Sequence, residues 1–380
     1  MNRILCPWVS AGVALAGAGV IAVTPAESPL AAVHLPDIHH TAGAEQDIVI
    51  DLVEHGVVSN QVSPDQVGGT IGVSGLPPGT PLNSQGEQEA HDVGQLLDSQ
   101  LGSPDKVAGI FAGVDIRMPE TVHPFAVSED MSIQILPGLD EMDGGLYAGN
   151  PQLSPAGILF DLTLFAWAFG FRSLPMPGSV DVNGSAFEEI YTNAVDTMYH
   201  DAVADPVVSA NGSVTVVAGS GEAAISSWVL GNVTNPDLAF FVPRFIDSLV
   251  TGDKGGLFLP NGDVVEVEGN PEAGWTLVSW AGQAIPQNPG LITDLVVDFR
   301  DLIVPPQAAI FNVVDAALGG DPATIESALQ AGLLSTGTAI LQFPGSVFTD
   351  VVDELQTLVG DLAAGETLGD AFGSTIVGLT

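Results

Sequence analysis

Seven residues early in the chain, 47–53 (DIVIDLV), form a β-branched, mostly apolar run that is too short for a helix and reads as a buried strand. Helical spacing follows over 85–101, with Ala90, Val93, Leu96 and Leu97 on one face. Apolar strand runs then recur at 106–112, 133–136 and 213–217, with helical patterns at 187–204 and 223–230. Two segments, 262–268 and 275–280, read as paired edge strands. Strands alternating with helices predict an α/β fold, a three-layer sandwich with a mostly parallel central sheet covered on both faces. The alternation stops near Gln283. Residues 283–380 are Ala/Leu/Val-rich and predict a C-terminal helical region broken at Pro286, Pro289, Pro305, Pro306, Pro322 and Pro344. No internal repeat or heptad is visible.

The first residues have a different character. Arg3, an apolar run over 9–23 and small residues around 26–32 read as a secretory signal peptide. The run is short and rich in Ala and Gly for a membrane span. The division expected is therefore a signal peptide at 1–32, a spacer at 33–46, an α/β domain at 47–282 and a helical region at 283–380. A Gly/Pro-rich stretch, 68–81, reads as a surface loop. The expected location is secreted or associated with the cell envelope. The single cysteine, Cys6, lies in the leader ahead of the apolar run. The mature chain then has no disulfide, no thiol nucleophile and no cysteine metal site.

Hydrophobic residues make up 46% of the chain and charged residues 14%, so a core is easily supplied. The charge is lopsided: 46 acidic residues stand against 7 Lys and Arg, a formal net charge of −39. The cations are Arg3, Lys106, Arg117, Arg172, Arg244, Lys254 and Arg300, and no two are close in sequence. A basic stripe for nucleic acid or anionic headgroups is not assembled from such a set. The acidic surface also repels anionic substrates at long range.

The first strand runs into Glu54-His55-Gly56, which puts His55 at a strand C-terminus, where α/β sheets place their ligands. After the loop comes Leu82-x-x-x-Gly86-x-x-x-Ala90 at a helix start, then Arg117-x-x-x-Thr121 after the second strand. Next is Leu139-x-Glu141-x-x-x-Gly145-x-Tyr147-x-Gly149, and last the strand 214–217 followed by Ala218-Gly219-Ser220-Gly221. In that order, from about Ile48 to Trp280, the chain resembles the histidine phosphatase (phosphoglycerate-mutase-like) superfamily. The resemblance implies in-line attack by a histidine on phosphorus and a phosphohistidine intermediate. Arginines and a second histidine hold the phosphoryl oxygens, and a carboxylic acid protonates the leaving oxygen. On that basis His55 matches the nucleophile, Arg117 a phosphate-binding arginine and Glu141 the proton donor.

Two pocket positions depart from the pattern. Glu54 stands where the family has arginine, and Gly219 where it has the second histidine; no histidine follows His200. A unit charge about 4 Å from another is worth about 4 kcal/mol at an effective dielectric near 20. Losing one preorganised oxyanion donor costs about 100- to 1000-fold in rate. The expectation is an impaired phosphate pocket in a ligand-binding or non-catalytic protein, with a neutral or cationic small molecule admitted. The alternatives are an active phosphomonoesterase working through His55 and a cell-envelope interaction protein that docks by residues 283–380.

Each residue also has a plainer reading. His55 fits a neutral histidine bonded to backbone, Arg117 a partner of Asp115 or Glu120, and Glu141 a turn cap. His34, Asp37, His39 and His40 are an incidental cluster on a spacer, so no metal is expected, and no cofactor. Ser220 lacks the full Gly-x-Ser-x-Gly elbow and has no later histidine as base, which rules out a hydrolase triad. Trp275 and Trp280 have the spacing of core residues on strand faces.

Overall fold

A computed structural model describes residues 46–59, 79–102, 106–151, 154–251 and 259–364, with several residues between 366 and 375. The chain divides after Ala44, and the second unit, Glu45–Thr380, contains all the structure described. The expected signal peptide, most of the spacer, the histidines at 34, 39 and 40, most of the 68–81 loop and Lys254 lie outside the described residues.

One seven-stranded sheet runs in the order β3-β2-β4-β1-β5-β6-β7. Its central strands are β1 (Ile48–Glu54), β2 (Gly109–Ala112) and β4 (Thr215–Ser220), with β3 (Gln134–Ile135) at one edge. These four are mutually parallel. The other edge is antiparallel: β5 (Val264–Asn270) pairs with β1, then β6 (Gly274–Trp280) with β5, and β7 (Gln283–Ala284) with β6. The sheet is thus mixed, half parallel and half antiparallel by junction. The physical reason is the short β5–β6 connection: three residues suffice for a hairpin, whereas a parallel return needs a long crossover.

Helices cover both faces of the parallel half. α1 (Ser84–Leu101) and α2 (Arg117–Ser128) pack on Val53, Ile110, Ala112 and Val217. On the opposite face, α3 (Pro155–Ala168), α4 (Gly184–Ala204), α5 (Glu222–Asn232) and α6 (Leu238–Thr251) meet Ile48, Ile50, Leu52, Val216 and Ala218. The alternation of partners along β1 is the period-2 pleat of a strand buried on both sides. Trp275 and Trp280 are core residues, Trp228 stacking edge-on against Trp275.

The helical region begins at Leu291 rather than at Gln283, because the sheet adds β7 first. It consists of α7 (Leu291–Gly319) and α8 (Pro322–Ala364), which pack on each other. Pro305, Pro306 and Pro344 sit inside these helices and do not end them. Each forfeits one backbone bond, which a long packed helix absorbs. The break between the two falls at Gly320, in the left-handed conformation, followed by Asp321, whose carboxylate accepts from Ala323 N and Thr324 Oγ1.

Candidate functional site

β1 delivers Glu54 and His55 to the carboxyl end of the parallel strands. The backbone there is held from three sides: His55 N donates to Ser220 O (3.2 Å), Gly56 N to Thr121 Oγ1 (3.0 Å), and Asn261 Nδ2 to His55 O (2.7 Å). Gly56 lies so close to Gly86, at the start of α1, that a Cβ on either would collide with the other's backbone or its neighbour's. Asn83 caps that helix by accepting from Gln85 N and Gly86 N, and Leu82 packs with Val58 and Ala90. The Leu82, Gly86, Ala90 pattern therefore works in packing. It presses α1 onto the loop behind His55.

His55 Nδ1 lies 2.9 Å from Gly56 O. A carbonyl only accepts, so a proton sits on Nδ1 and Nε2 is the ring nitrogen turned toward the pocket. Nε2 faces two carboxylates, Glu54 Oε1 at 3.6 Å and Glu141 Oε2 at 3.9 Å. All three side chains are almost entirely buried. Glu141 arrives by the short helical turn Pro137–Leu139 and lies over Gly221, where any Cβ would strike its carboxyl group. It accepts from Met142 N (3.0 Å) and from Ala224 N, in the first turn of α5. Burial pushes the Glu141 carboxyl above the usual range, while Arg117 and those two N–H groups pull it back. The Glu141 carboxyl group thus lies at a helix N-terminus, where the helix dipole favours an acidic group.

Arg117 opens α2, and its Nη2 is 2.7 Å from Asp115 Oδ2. The pair is buried, not at the surface. Asp140 sets the loop before it by accepting from Val114 N (2.5 Å) and Asp115 N (3.1 Å). Arg117 Nε has no hydrogen-bond partner among the described residues. Its charge, already matched by Asp115, lies close enough to lower the Glu141 pKa.

A Cβ at Gly219 points at Met118 O (2.9 Å) and Val122 on α2, the face opposite Glu54 and Glu141. The residue paired with Glu54 is Ser220, whose hydroxyl donates to Leu139 O (2.6 Å) and accepts from Tyr191 at 3.3 Å. Alternation along β4 decides this, and a one-residue slip exchanges the faces. Any side chain of β4 that faces the site is therefore at Ser220.

Glu54 and Glu141 lie within 4 Å of His55 Nε2, Arg117 lies near Glu141, and Gly219 is on the α2 side of β4. The other described cations are elsewhere. Arg172 bonds Gly231 O and Glu188, Arg300 bonds Val233 O and Asp301, and Arg244 lies over the Phe240 ring. Lys106 is exposed at the approach to β2. Sequence reasoning missed Tyr191 and Asn261, and gave Thr121 no role beyond its place in the Arg117-x-x-x-Thr121 segment. Tyr191 is fully buried; burial raises its pKa, and Glu141 and Glu54 add to the rise. Its only sequence signal is the apolar face of α4, which marks burial but not proximity to the site.

No protein-family model matches the chain. The chain is 38% identical over 314 residues to the PE-PGRS family protein PE_PGRS11 of Mycobacterium tuberculosis, an alignment covering 82% of this chain. It spans about half (49%) of the length of that curated relative. Among solved structures it is similar to a mycobacterial glucosyl-3-phosphoglycerate phosphatase, at 14% identity and a TM-score of 0.42 over 62% of this chain and 100% of the other. A phosphoserine phosphatase from Entamoeba histolytica, solved with 3-phosphoglyceric acid, matches at 13% identity and a TM-score of 0.38 over 62% and 97%.

Proposed function

We propose that this is an exported histidine-phosphatase-like protein whose pocket does not carry out phosphoryl transfer and instead holds a neutral or cationic small ligand. The observation behind this reading is that His55 Nε2, the attacking atom of such a site, faces Glu54 and Glu141 at 3.6 and 3.9 Å. A phosphoryl group placed there meets acidic side chains on two sides. Arg117, paired to Asp115, offers little net positive charge in return. Replacing attraction by repulsion at about 4 Å changes the binding of an anion by up to about 8 kcal/mol at an effective dielectric near 20. The test is hydrolysis of a chromogenic phosphomonoester at acidic and neutral pH, with His55→Ala as control. Turnover that disappears in His55→Ala overturns the reading.

That outcome would favour the second reading, an active phosphomonoesterase. It is supported by the Nδ1–Gly56 O bond, which turns Nε2 toward the pocket, and by the raised pKa of Glu141, which suits a proton donor. A third reading, contact with the cell envelope, rests on α7. Its apolar stretch has a mean hydropathy of 1.4 and is only 6% buried, so it is not the core helix of the body. Deleting 291–380 and following envelope association tests that reading; unchanged association removes it.

A further inference from the structure

The base of the α7–α8 hairpin gathers carboxyl groups with no basic side chain paired to them among the described residues. Asp294 and Asp298 on α7 face Asp350 and Glu354 on α8, with Asp353 and Asp361 beside these on α8 itself. α8 contains no Lys or Arg. The one cation of α7, Arg300, turns its guanidinium into the body toward Leu230 O and Val233 O and pairs with Asp301. Asp361 accepts from Thr375 Oγ1. Asp298 Oδ2 is buried and has no hydrogen-bond donor among the described residues; the side chain beside it is the Asp350 carboxyl. Two carboxyl groups in contact form a hydrogen bond only when a proton lies between them.

We propose that the α7–α8 hairpin is a pH-gated clasp, held shut by protons shared among the carboxyl groups at its base and released when those protons leave. Further along the hairpin the two helices approach closely at one small pair, Gly332 lying directly against Ala309. Large apolar side chains such as Leu333, Leu334 and Leu341 are exposed. The seam therefore depends on its base for more of its closure than a leucine-packed pair would. Burial raises Asp294 to about 6, with Glu354 and Asp298 adding to it. Burial raises Asp350 to about 6 as well, with Asp298, Asp294 and Asp353 adding to it. Glu354 is raised by burial and by Asp350, Asp353 and Asp361. For carboxyl groups raised in the closed form, closure is favoured at low pH and weakens as pH climbs through about 6. Ionised, Asp294 on one helix and Asp350 and Glu354 on the other repel across the seam, and α8 separates from α7.

Hydrogen exchange of the full-length chain at about pH 5 and about pH 7.5, corrected for the intrinsic rate, reads the clasp directly. Amides of α8 near Asp350 should lose about 10- to 100-fold of their protection at the higher pH, the two partly solvated groups lifted from 3.8 to about 6 setting the scale. Amides of β1 and β4 should not follow. Asp350→Asn carries its own N–H donor for Asp298 and should keep α8 protected at both values; Asp298→Asn should do the same from the other side. Equal protection of wild-type α8 at the two values overturns the proposal. So does a loss shared equally by the sheet, or a loss in both Asn variants as large as in the wild type.

Discussion

Asp51 lies in the middle of β1, directly opposite Glu266 of β5 and Val217 of β4, and is 5% exposed. Burial, reinforced by Glu266, lifts its carboxyl from 3.8 to about 8. The folded protein therefore keeps a proton on Asp51 at neutral pH, while the unfolded chain releases it. A group with this shift favours folding most below its unfolded value, and its contribution declines as pH rises until it levels off above about 8. Each unit is worth about 1.4 kcal/mol, so between about pH 4 and pH 7 the loss is about 4 kcal/mol. Asp51→Asn has the same shape and no charge to release. Its packing changes stability by a constant, since the amide presents two donors where the acid presents one. The informative quantity is the slope. Urea unfolding of both proteins, followed by the fluorescence of the buried tryptophans, should show Asp51→Asn gaining on the wild type by about 1.4 kcal/mol per pH unit from about pH 4 to about pH 8. Other carboxylates titrate in both proteins and cancel, apart from a smaller contribution through Glu266, which is itself raised by burial and by Glu268. Parallel stability curves would refute the argument, because they would mean that Asp51 titrates alike in the folded and unfolded chains.

Gly219→Ala should destabilise the fold by about 1–3 kcal/mol in urea titrations, since the new methyl meets Met118 O on α2. Sulfate or vanadate titrated calorimetrically should give no heat of binding at His55 in the wild type, and a measurable heat in Glu54→Arg with Ser220→His. A double variant at Glu54 and Gly219 should not recover it, because position 219 faces the other way. Arg300→Met should cost about 1–3 kcal/mol by thermal unfolding, leaving the carbonyl oxygens of Leu230 and Val233 without that donor. Gly86→Ala should lower the melting temperature and loosen the loop after His55, seen as faster exchange of the Gly56 and Val57 amides.

Much of the α/β body was legible because each element carries its own period. β1, α1, α4, β4, α5 and the β5–β6 pair fall within a few residues of the segments read from apolar spacing. α3 and α6 were not anticipated: α3 is apolar all round, so it has no polar face to mark its period. The prolines of α7 and α8 misled for a related reason. A proline signals a break only where nothing else holds the helix, and here each long helix packs on the other.

Sequence alone settled the chemistry on offer: an acid before His55, few cations anywhere, a carboxylate in the 139–149 segment and a net charge of −39. It also settled that a strand ends at His55, because a β-branched run bounded by a polar pair has few other conformations open to it. The fold decided which groups meet. Glu141 reaches His55 by lying across the start of α5, Arg117 is matched by Asp115, and Gly219 turns away while Ser220 turns in. The direction of a strand side chain depends on register, which is fixed by pairing with distant residues, and the charge of a buried group depends on which neighbours share its desolvated space. Both are properties of contacts remote in sequence, which local pattern does not encode.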